Sequence, residues 1–178
     1  MTLAGRLLQP RLAAAVVLAA AAATIGGAYL FEYGLGYIPC PLCLTQRKPY
    51  YVAMAVAFVA ALAPNRTLAR AALAVVTLSF LVSAGLGAYH AGVEWGVWLG
   101  PSDCGGAPGP AAGSVTDFMQ SLQKARVVSC TEAAWRFLGL SLAGWNVLIS
   151  LALAAFAALA AVRPRDRVAS GRSARGRS

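Results

Sequence analysis

The stretch Leu138–Val162, LGLSLAGWNVLISLALAAFAALAAV, is the part of the sequence that decides the fold. It contains no charged side chain, and a transmembrane helix needs roughly 20 apolar residues to cross the hydrocarbon core. Three more predominantly apolar stretches of similar length occur at Leu12–Phe31, Leu44–Ala63 and Ala71–Tyr89. In the whole chain 59% of residues are hydrophobic and 12% are charged, whereas a soluble domain carries roughly 25% charge. The sequence therefore predicts an all-α membrane protein, a bundle of four transmembrane helices, and argues against a water-soluble globule.

The loops between the predicted spans differ in length. The first outer loop covers about residues 32–43, whereas the second covers about residues 90–137 and is rich in Gly and Pro. Within the second loop, Ser114–Lys124 carries its apolar residues on one helical stripe, which is typical of a short amphipathic helix lying flat on the membrane surface. We therefore expect one transmembrane domain over residues 1–162 with a large second outer loop.

The distribution of Lys and Arg predicts the orientation, because cationic loops stay in the cytoplasm. Ten arginines and one acid fall on the side that carries both termini, and five basic and five acidic residues fall on the other side. Both termini are therefore predicted to be cytoplasmic. The tail at residues 163–178 is composed largely of Arg, Ser and Gly and is predicted to be disordered. We assign its charge to orientation and to contact with anionic lipid rather than to nucleic acid.

The N-terminal stretch admits two interpretations. Arg6 and Arg11 precede an alanine-rich run with small residues, as in a cleaved signal peptide. The apolar run, however, continues to Phe31, which is longer than the apolar region of a signal peptide needs to be. We therefore expect a retained first span.

All four cysteines, Cys40, Cys43, Cys104 and Cys130, fall on the outer side. Disulfides form and persist in an oxidising compartment. Cys40 and Cys43 belong to a Cys-Pro-Leu-Cys motif at the outer start of the second span, where the positive end of the helix dipole stabilises a thiolate. Arg47, one helical turn beyond Cys43, would add a cation beside that sulfur. The motif therefore has the surroundings that a reactive thiol needs.

Other interpretations of these residues stay open at this point. Arg47 could be an interfacial side chain facing lipid headgroups, and Cys104 and Cys130 could form an ordinary disulfide that staples the loop. His90, the only histidine, could be an interfacial polar residue. A four-cysteine zinc site is disfavoured, because the loop cysteines are not a second close-set pair. The candidates are a redox enzyme, a cysteine-ligated membrane metal-binding protein and a disulfide-stapled structural bundle.

The order of these motifs resembles the bacterial DsbB family of disulfide-generating membrane proteins. The residues that carry the resemblance are Cys40-Pro41-Leu42-Cys43, Gln46-Arg47, Tyr89–Glu94 with His90, Pro101 and Cys104, Cys130, and Phe137–Asn146. They extend over nearly the whole chain except its tails. The vitamin K epoxide reductase family also uses four cysteines on a helical bundle, but there the loop pair precedes the C-x-x-C motif. The order in this chain therefore favours DsbB.

The resemblance implies a disulfide relay. Cys104 would form the mixed disulfide with a reduced periplasmic dithiol protein of the DsbA type. Cys130 would then attack Cys40, and Cys43 would be left as the thiolate facing a membrane quinone. In this relay the four cysteines are the catalytic residues.

The resemblance also implies a quinone cofactor, either ubiquinone or menaquinone. Arg47 and His90 would hold the quinone beside Cys43 and balance charge as it is reduced. We expect a multi-pass protein of the bacterial inner membrane with periplasmic cysteine loops. It is expected to act as a monomer, with no metal and no nucleic-acid partner.

Overall fold

The computed structural model describes residues 6–100 and 130–163. Within this part the chain forms four long helices and one short hairpin, with the bounds α1 Pro10–Tyr29, α2 Pro41–Leu62, α3 Arg66–Glu94, β1 Arg136–Phe137, β2 Leu140–Ser141 and α4 Leu142–Val162. A π-helical turn, Leu30–Gly34, extends α1. Three predicted features lie outside the described residues: Cys104, the amphipathic surface helix and most of the basic tail.

Three of the helical segments are long and apolar enough to cross a membrane, namely Pro10–Gly34, Arg66–Glu94 and Leu142–Val162. The prediction of a helical membrane protein is confirmed at this level. Helix α2 is less apolar than the other three, because the run Gln46-Arg47-Lys48 lies in its first half. Its assignment as a fourth span therefore stays a prediction.

Capping extends two helices beyond the predicted apolar stretches. Helix α2 begins at Pro41 rather than near residue 44, because the Cys40 side chain accepts the backbone N–H of Cys43 and proline suits a first helical position. Helix α3 begins at Arg66, because Asn65 accepts the backbone N–H of Leu68 at 2.8 Å. It continues to Glu94, so the last residues of α3 are helical where the sequence predicted the start of a loop.

The start of α4 differs from the predicted 138–162. The residues before Leu142 form an antiparallel hairpin in which Arg136 pairs with Ser141. Leu138 and Gly139 make its two-residue turn with φ values of 52° and 81°, as a type I′ turn requires. Ser141 then caps α4 by accepting the backbone N–H of Gly144 at 3.2 Å. The turn was not predicted, because Leu138 and Gly139 are nonpolar and continue directly into the apolar stretch that follows.

Small side chains form most of the core between the helices. Helix α3 packs against both α2 and α4, and α2 also packs against α1. Tyr50 and Phe80 are the largest fully buried side chains, and their rings meet edge to face at 5.2 Å. Most of the remaining core is alanine: Ala13, Ala14, Ala21, Ala53, Ala57, Ala60, Ala154, Ala157 and Ala160. Small residues let helix backbones approach closely, which is how helices associate in lipid.

Gly87 lies on α3 where it packs against α4. A β-carbon added there would lie 3.0 Å from both Asn146 Nδ2 and Val147 Cγ2, and 3.3 Å from the main-chain oxygen of Ala143. Two residues earlier, a β-carbon on Gly85 would meet nothing within 4 Å. The contact between α3 and α4 therefore depends on the absence of a side chain at Gly87.

Replacing Gly87 by leucine is expected to destabilise the bundle, because the new side chain must push α4 away from α3. Overpacking of this kind costs about 1–3 kcal/mol. Gly85→Leu is the matched control, since it adds the same side chain to the same helix in open space. Thermal unfolding in detergent, followed by circular dichroism, compares the two variants. Equal melting temperatures would contradict close packing at Gly87.

Candidate active site

Cys40 and Cys43 lie together at the start of α2 as a dithiol. Both are free thiols, and their sulfur atoms are 3.0 Å apart, whereas a disulfide bond is about 2.05 Å long. The backbone N–H of Cys43 donates to the Cys40 sulfur at 3.2 Å. The predicted C-x-x-C motif therefore stands at a helix N-terminus, with its first sulfur serving as the cap.

Cys130 packs against this dithiol from the distant part of the chain. It is fully buried and disulfide-bonded. It shares one apolar cluster with Cys40 and Val93, and Cys43 packs at the edge of the same cluster. The structure thus brings together three of the four cysteines that the sequence singled out.

His90 lies in the last turn of α3 and faces the dithiol. Its Nε2 atom is 3.6 Å from the Cys40 sulfur and 3.7 Å from Glu94 Oε1, and the histidine is only 3% exposed. From sequence, Glu94 is one of the five outer acids and ends the Tyr89–Glu94 motif, with no role of its own. Its position four residues after His90 was the signal that could have associated the two side chains.

The surroundings of Cys40, which precedes α2 and lies outside the membrane-spanning segments, favour its thiolate. The hydrogen bond with the Cys43 thiol lowers the pKa of Cys40 from 9.0 to about 4, with further lowering by the hydrogen bond to His90, although burial opposes the change. Cys40 is therefore the ionised member of the reduced pair. This assignment concerns the reduced dithiol, whereas the predicted Cys43 thiolate belongs to a state in which Cys40 is in a disulfide.

Arg47 lies one turn along α2 and is held by α1. Its Nη1 atom is 2.5 Å from Glu32 Oε2, and its guanidinium group lies 5.2 Å from the centre of the Tyr29 ring. Glu32 belongs to the π-helical turn after α1. Sequence reasoning missed this partner, because no local pattern reports which residues of α1 and α2 face each other.

A cavity of about 340 Å³ adjoins the dithiol and is lined by all of the helices described above. This volume lies within the roughly 300–1,000 Å³ of typical ligand pockets. Much of the wall is apolar, with contributions from Ile25, Phe31, Leu142 and Ile149. Polar groups also reach it, from Cys43, Gln46, Arg47, His90 and Asn146. Arg47 and His90, to which the family resemblance assigned ligand binding, therefore share one cavity with Cys43.

The close approach of Cys40, Cys43 and His90 bears on the alternative that this protein binds a metal ion. The sulfur atoms of Cys40 and Cys43 and one ring nitrogen of His90 lie within 4.8 Å of one another. Among the described residues this group has three members, whereas a structural zinc site takes four. The hydrogen bonds within the group account for its close approach without an ion.

Comparison with known proteins identifies the family. The family model for disulfide bond formation protein DsbB matches residues 10–160 of this chain. The chain belongs to the DsbB family.

Two relatives named disulfide bond formation protein B agree with this assignment to the DsbB family, and a third similar protein is uncharacterised. Disulfide bond formation protein B of Marinobacter nauticus is 34% identical over 149 residues, covering 78% of this chain and 86% of the relative. The protein of the same name from Xanthomonas oryzae is 31% identical over 154 residues, covering 82% and 87%. An uncharacterised protein of Rickettsia prowazekii is 30% identical over 140 residues, covering 78% and 80%. No solved structure matches the chain.

The lowered pKa predicts how the dithiol titrates. Because a thiolate exists above its pKa, reduced protein should retain the Cys40 thiolate as the pH falls from neutral to about 4. Cys43→Ala should raise that pKa the most, since it removes the largest favourable contribution, and His90→Ala should raise it less. Ultraviolet thiolate absorbance during an acid titration, with Cys40→Ser as the blank, measures both changes. An unchanged titration in Cys43→Ala would contradict the assigned cause.

Proposed function

We propose that this DsbB-family protein is a membrane thiol:quinone oxidoreductase that reoxidises a periplasmic DsbA-type dithiol protein. The observation that carries the proposal is the position of Cys43. It lies at hydrogen-bond distance from the Cys40 sulfur and also on the wall of the cavity of about 340 Å³. The Cys40–Cys43 pair therefore lies next to a cavity that has room for an electron acceptor.

The cavity has the chemistry that a quinone ring requires. Its apolar wall suits a flat hydrocarbon ring, and the Arg47 guanidinium supplies hydrogen-bond donors for a ring oxygen. A quinone, ubiquinone or menaquinone, supplies a two-electron, two-proton acceptor when bound. Arg47 would bind and orient a quinone oxygen, and His90 would stay beside the Cys40 sulfur, from which its Nε2 atom lies 3.6 Å away.

The burial of Cys130 beside Cys40 supports the predicted relay. The reduced partner protein first opens the Cys104–Cys130 disulfide by attack on Cys104. The released Cys130 thiolate then attacks Cys40 of the oxidised inner pair, which breaks the Cys40–Cys43 bond and leaves Cys43 as a thiolate. Attack of the second partner thiol on the partner–Cys104 bond releases the oxidised partner. Attack of Cys104 on Cys130 restores the outer disulfide and leaves Cys40 and Cys43 reduced.

Re-formation of the Cys40–Cys43 disulfide completes the cycle. The pair gives up two electrons and, in total, two protons, which balances the reduction of a quinone to a quinol. Oxidising a partner that is itself a strong oxidant requires an acceptor of higher potential, since about 30 mV corresponds to about 1.4 kcal/mol for two electrons. A membrane quinone meets this requirement, whereas glutathione does not.

We further propose that α2 is the fourth span and that the cysteine end faces the periplasm of a bacterial inner membrane. Arg11 donates a hydrogen bond to the Pro64 carbonyl, which ties the start of α1 to the α2–α3 connection at the end opposite Cys40. The arginine-rich segments share that end, so the positive-inside rule puts both termini in the cytoplasm. The relay needs one chain only, so we propose a functional monomer.

The decisive experiment follows quinone absorbance over time after mixing detergent-purified protein, a soluble quinone and a reduced DsbA-type protein. Turnover that disappears in Cys43→Ser supports the reaction. No turnover by a folded protein with both disulfides formed would overturn it.

Arg47→Ala is expected to raise the apparent KM for quinone by about tenfold or more, because a hydrogen bond from a charged donor contributes about 1.5–3 kcal/mol. Disulfide exchange among the cysteines should be unaffected. The control is Lys48→Ala, which removes a neighbouring positive charge that is exposed and outside the cavity wall. Quinone titrations of the two variants compare the effects, and an unchanged KM in Arg47→Ala would remove this residue from the site.

Cys104→Ser is expected to abolish oxidation of the DsbA-type partner while quinone still oxidises the reduced Cys40–Cys43 pair. The physical reason is that only the outer pair receives the partner's attack. Thiol trapping after addition of quinone alone, and separately of quinone with the partner, distinguishes the two steps. Continued partner oxidation in this variant would show that the assigned order is wrong.

A further inference from the structure

A chain of buried hydrogen bonds runs from His90 into the helix bundle. His90 Nδ1 lies 2.6 Å from Gln46 Nε2, and Gln46 Oε1 accepts a hydrogen bond from Asn146 Nδ2 at 2.7 Å. Gln46 belongs to α2, His90 to α3 and Asn146 to α4. His90 and Gln46 are only 3% and 7% exposed, so protein groups rather than bulk water determine how they are oriented.

Two main-chain carbonyls determine which way each amide points. Gln46 Nε2 also donates to the carbonyl oxygen of Leu42 at 3.3 Å, and Asn146 Nδ2 also donates to the carbonyl oxygen of Ser83 at 3.4 Å. A carbonyl oxygen can only accept, so an amide nitrogen must face it in each case. The direction of the chain follows: Asn146 donates to Gln46, and Gln46 donates to His90.

This direction decides which nitrogen of the imidazole carries the proton. Nδ1 faces a donor and must therefore be the unprotonated nitrogen, so the proton of the neutral ring resides on Nε2. Nε2 is the atom that lies 3.6 Å from the Cys40 sulfur. The ring therefore directs an N–H toward the dithiol.

We propose that Gln46 and Asn146 are positioning residues that fix the Nε2-protonated tautomer of His90 and thereby present a hydrogen-bond donor to the Cys40 sulfur. Asn146 acts through Gln46, and Gln46 acts through His90. The donor stabilises negative charge on Cys40, which matters for the thiol:quinone reaction only if the proposed function holds. The tautomer itself is a property of the reduced protein alone.

The single histidine makes this inference directly measurable. Nitrogen-15 labelling of histidine gives the magnetic resonance signals of one imidazole, and these signals distinguish a protonated from an unprotonated ring nitrogen. In the reduced protein, with the ring neutral, we expect an unprotonated Nδ1 and a protonated Nε2. No quinone or partner protein is needed.

The decisive variant is Asn146→Asp, which keeps the size of the side chain but removes its donor. The carboxylate accepts from the Gln46 amide, and a hydrogen bond to a charged acceptor outweighs the 3.3 Å bond to the neutral Leu42 carbonyl, so Gln46 turns and its oxygen faces His90. We then expect the ring proton to move to Nδ1, although residue 146 does not contact the ring. The matched control is Ser150→Ala, since Ser150 donates to Asn146 Oδ1 at 3.3 Å but does not determine the amide direction. Its tautomer should equal that of the wild type.

Gln46→Glu provides a second test that covers poor folding of Asn146→Asp. A carboxylate next to Nδ1 only accepts, so Nδ1 should become protonated. A protonated Nδ1 in the neutral wild-type ring, or an unprotonated Nδ1 in either folded acidic variant, would overturn the inference. Such a result would leave the oxidoreductase proposal intact, and missing quinone turnover would equally leave the tautomer assignment intact.

Discussion

Water is absent from the hydrocarbon core of a membrane, so a polar side chain inside the bundle must find its hydrogen-bond partner in the protein. The Tyr50 hydroxyl lies 3.0 Å from that of Ser150, and the Ser150 hydroxyl lies 3.1 Å from that of Ser83, with all three side chains buried. These bonds join α2, α3 and α4 and restrict the rotation of each helix about its own axis. His90 faces Cys40 at the outer end in this arrangement of helices, so the reactive site depends on the whole set of contacts between the helices rather than on any single one.

The helices were predictable from sequence because the cost of burying charge in lipid acts on each segment separately. A run such as Leu142–Val162 can do little else than form a helix in a membrane. The ends of the helices were less predictable. The caps formed by Cys40, Asn65 and Ser141 set where α2, α3 and α4 start, and each depends on a single side-chain contact rather than on average composition.

The candidate site was predictable to the extent that its residues follow a local motif. The Cys-Pro-Leu-Cys motif lies at a helix N-terminus, as its sequence indicated, and the spacing from Cys43 drew attention to Arg47. The family resemblance added the quinone-binding role of Arg47 and His90. The partners of those residues were not predictable. Glu32 meets Arg47 and Asn146 meets Gln46 through contacts between different helices, and the faces that two helices share are decided by packing along their whole length.

The burial of Cys40 and Cys130 limits which thiols can exchange with them. Cys130 has no exposed surface and Cys40 is only 4% exposed, and both pack with Val93. Thiol–disulfide exchange requires the attacking sulfur to reach the sulfur that it attacks. Small thiols diffusing in the surrounding medium are therefore kept from Cys40 and Cys130 by the packing around them. Exchange at Cys40 is therefore restricted to a sulfur that the protein's own chain brings beside it, as it brings Cys130.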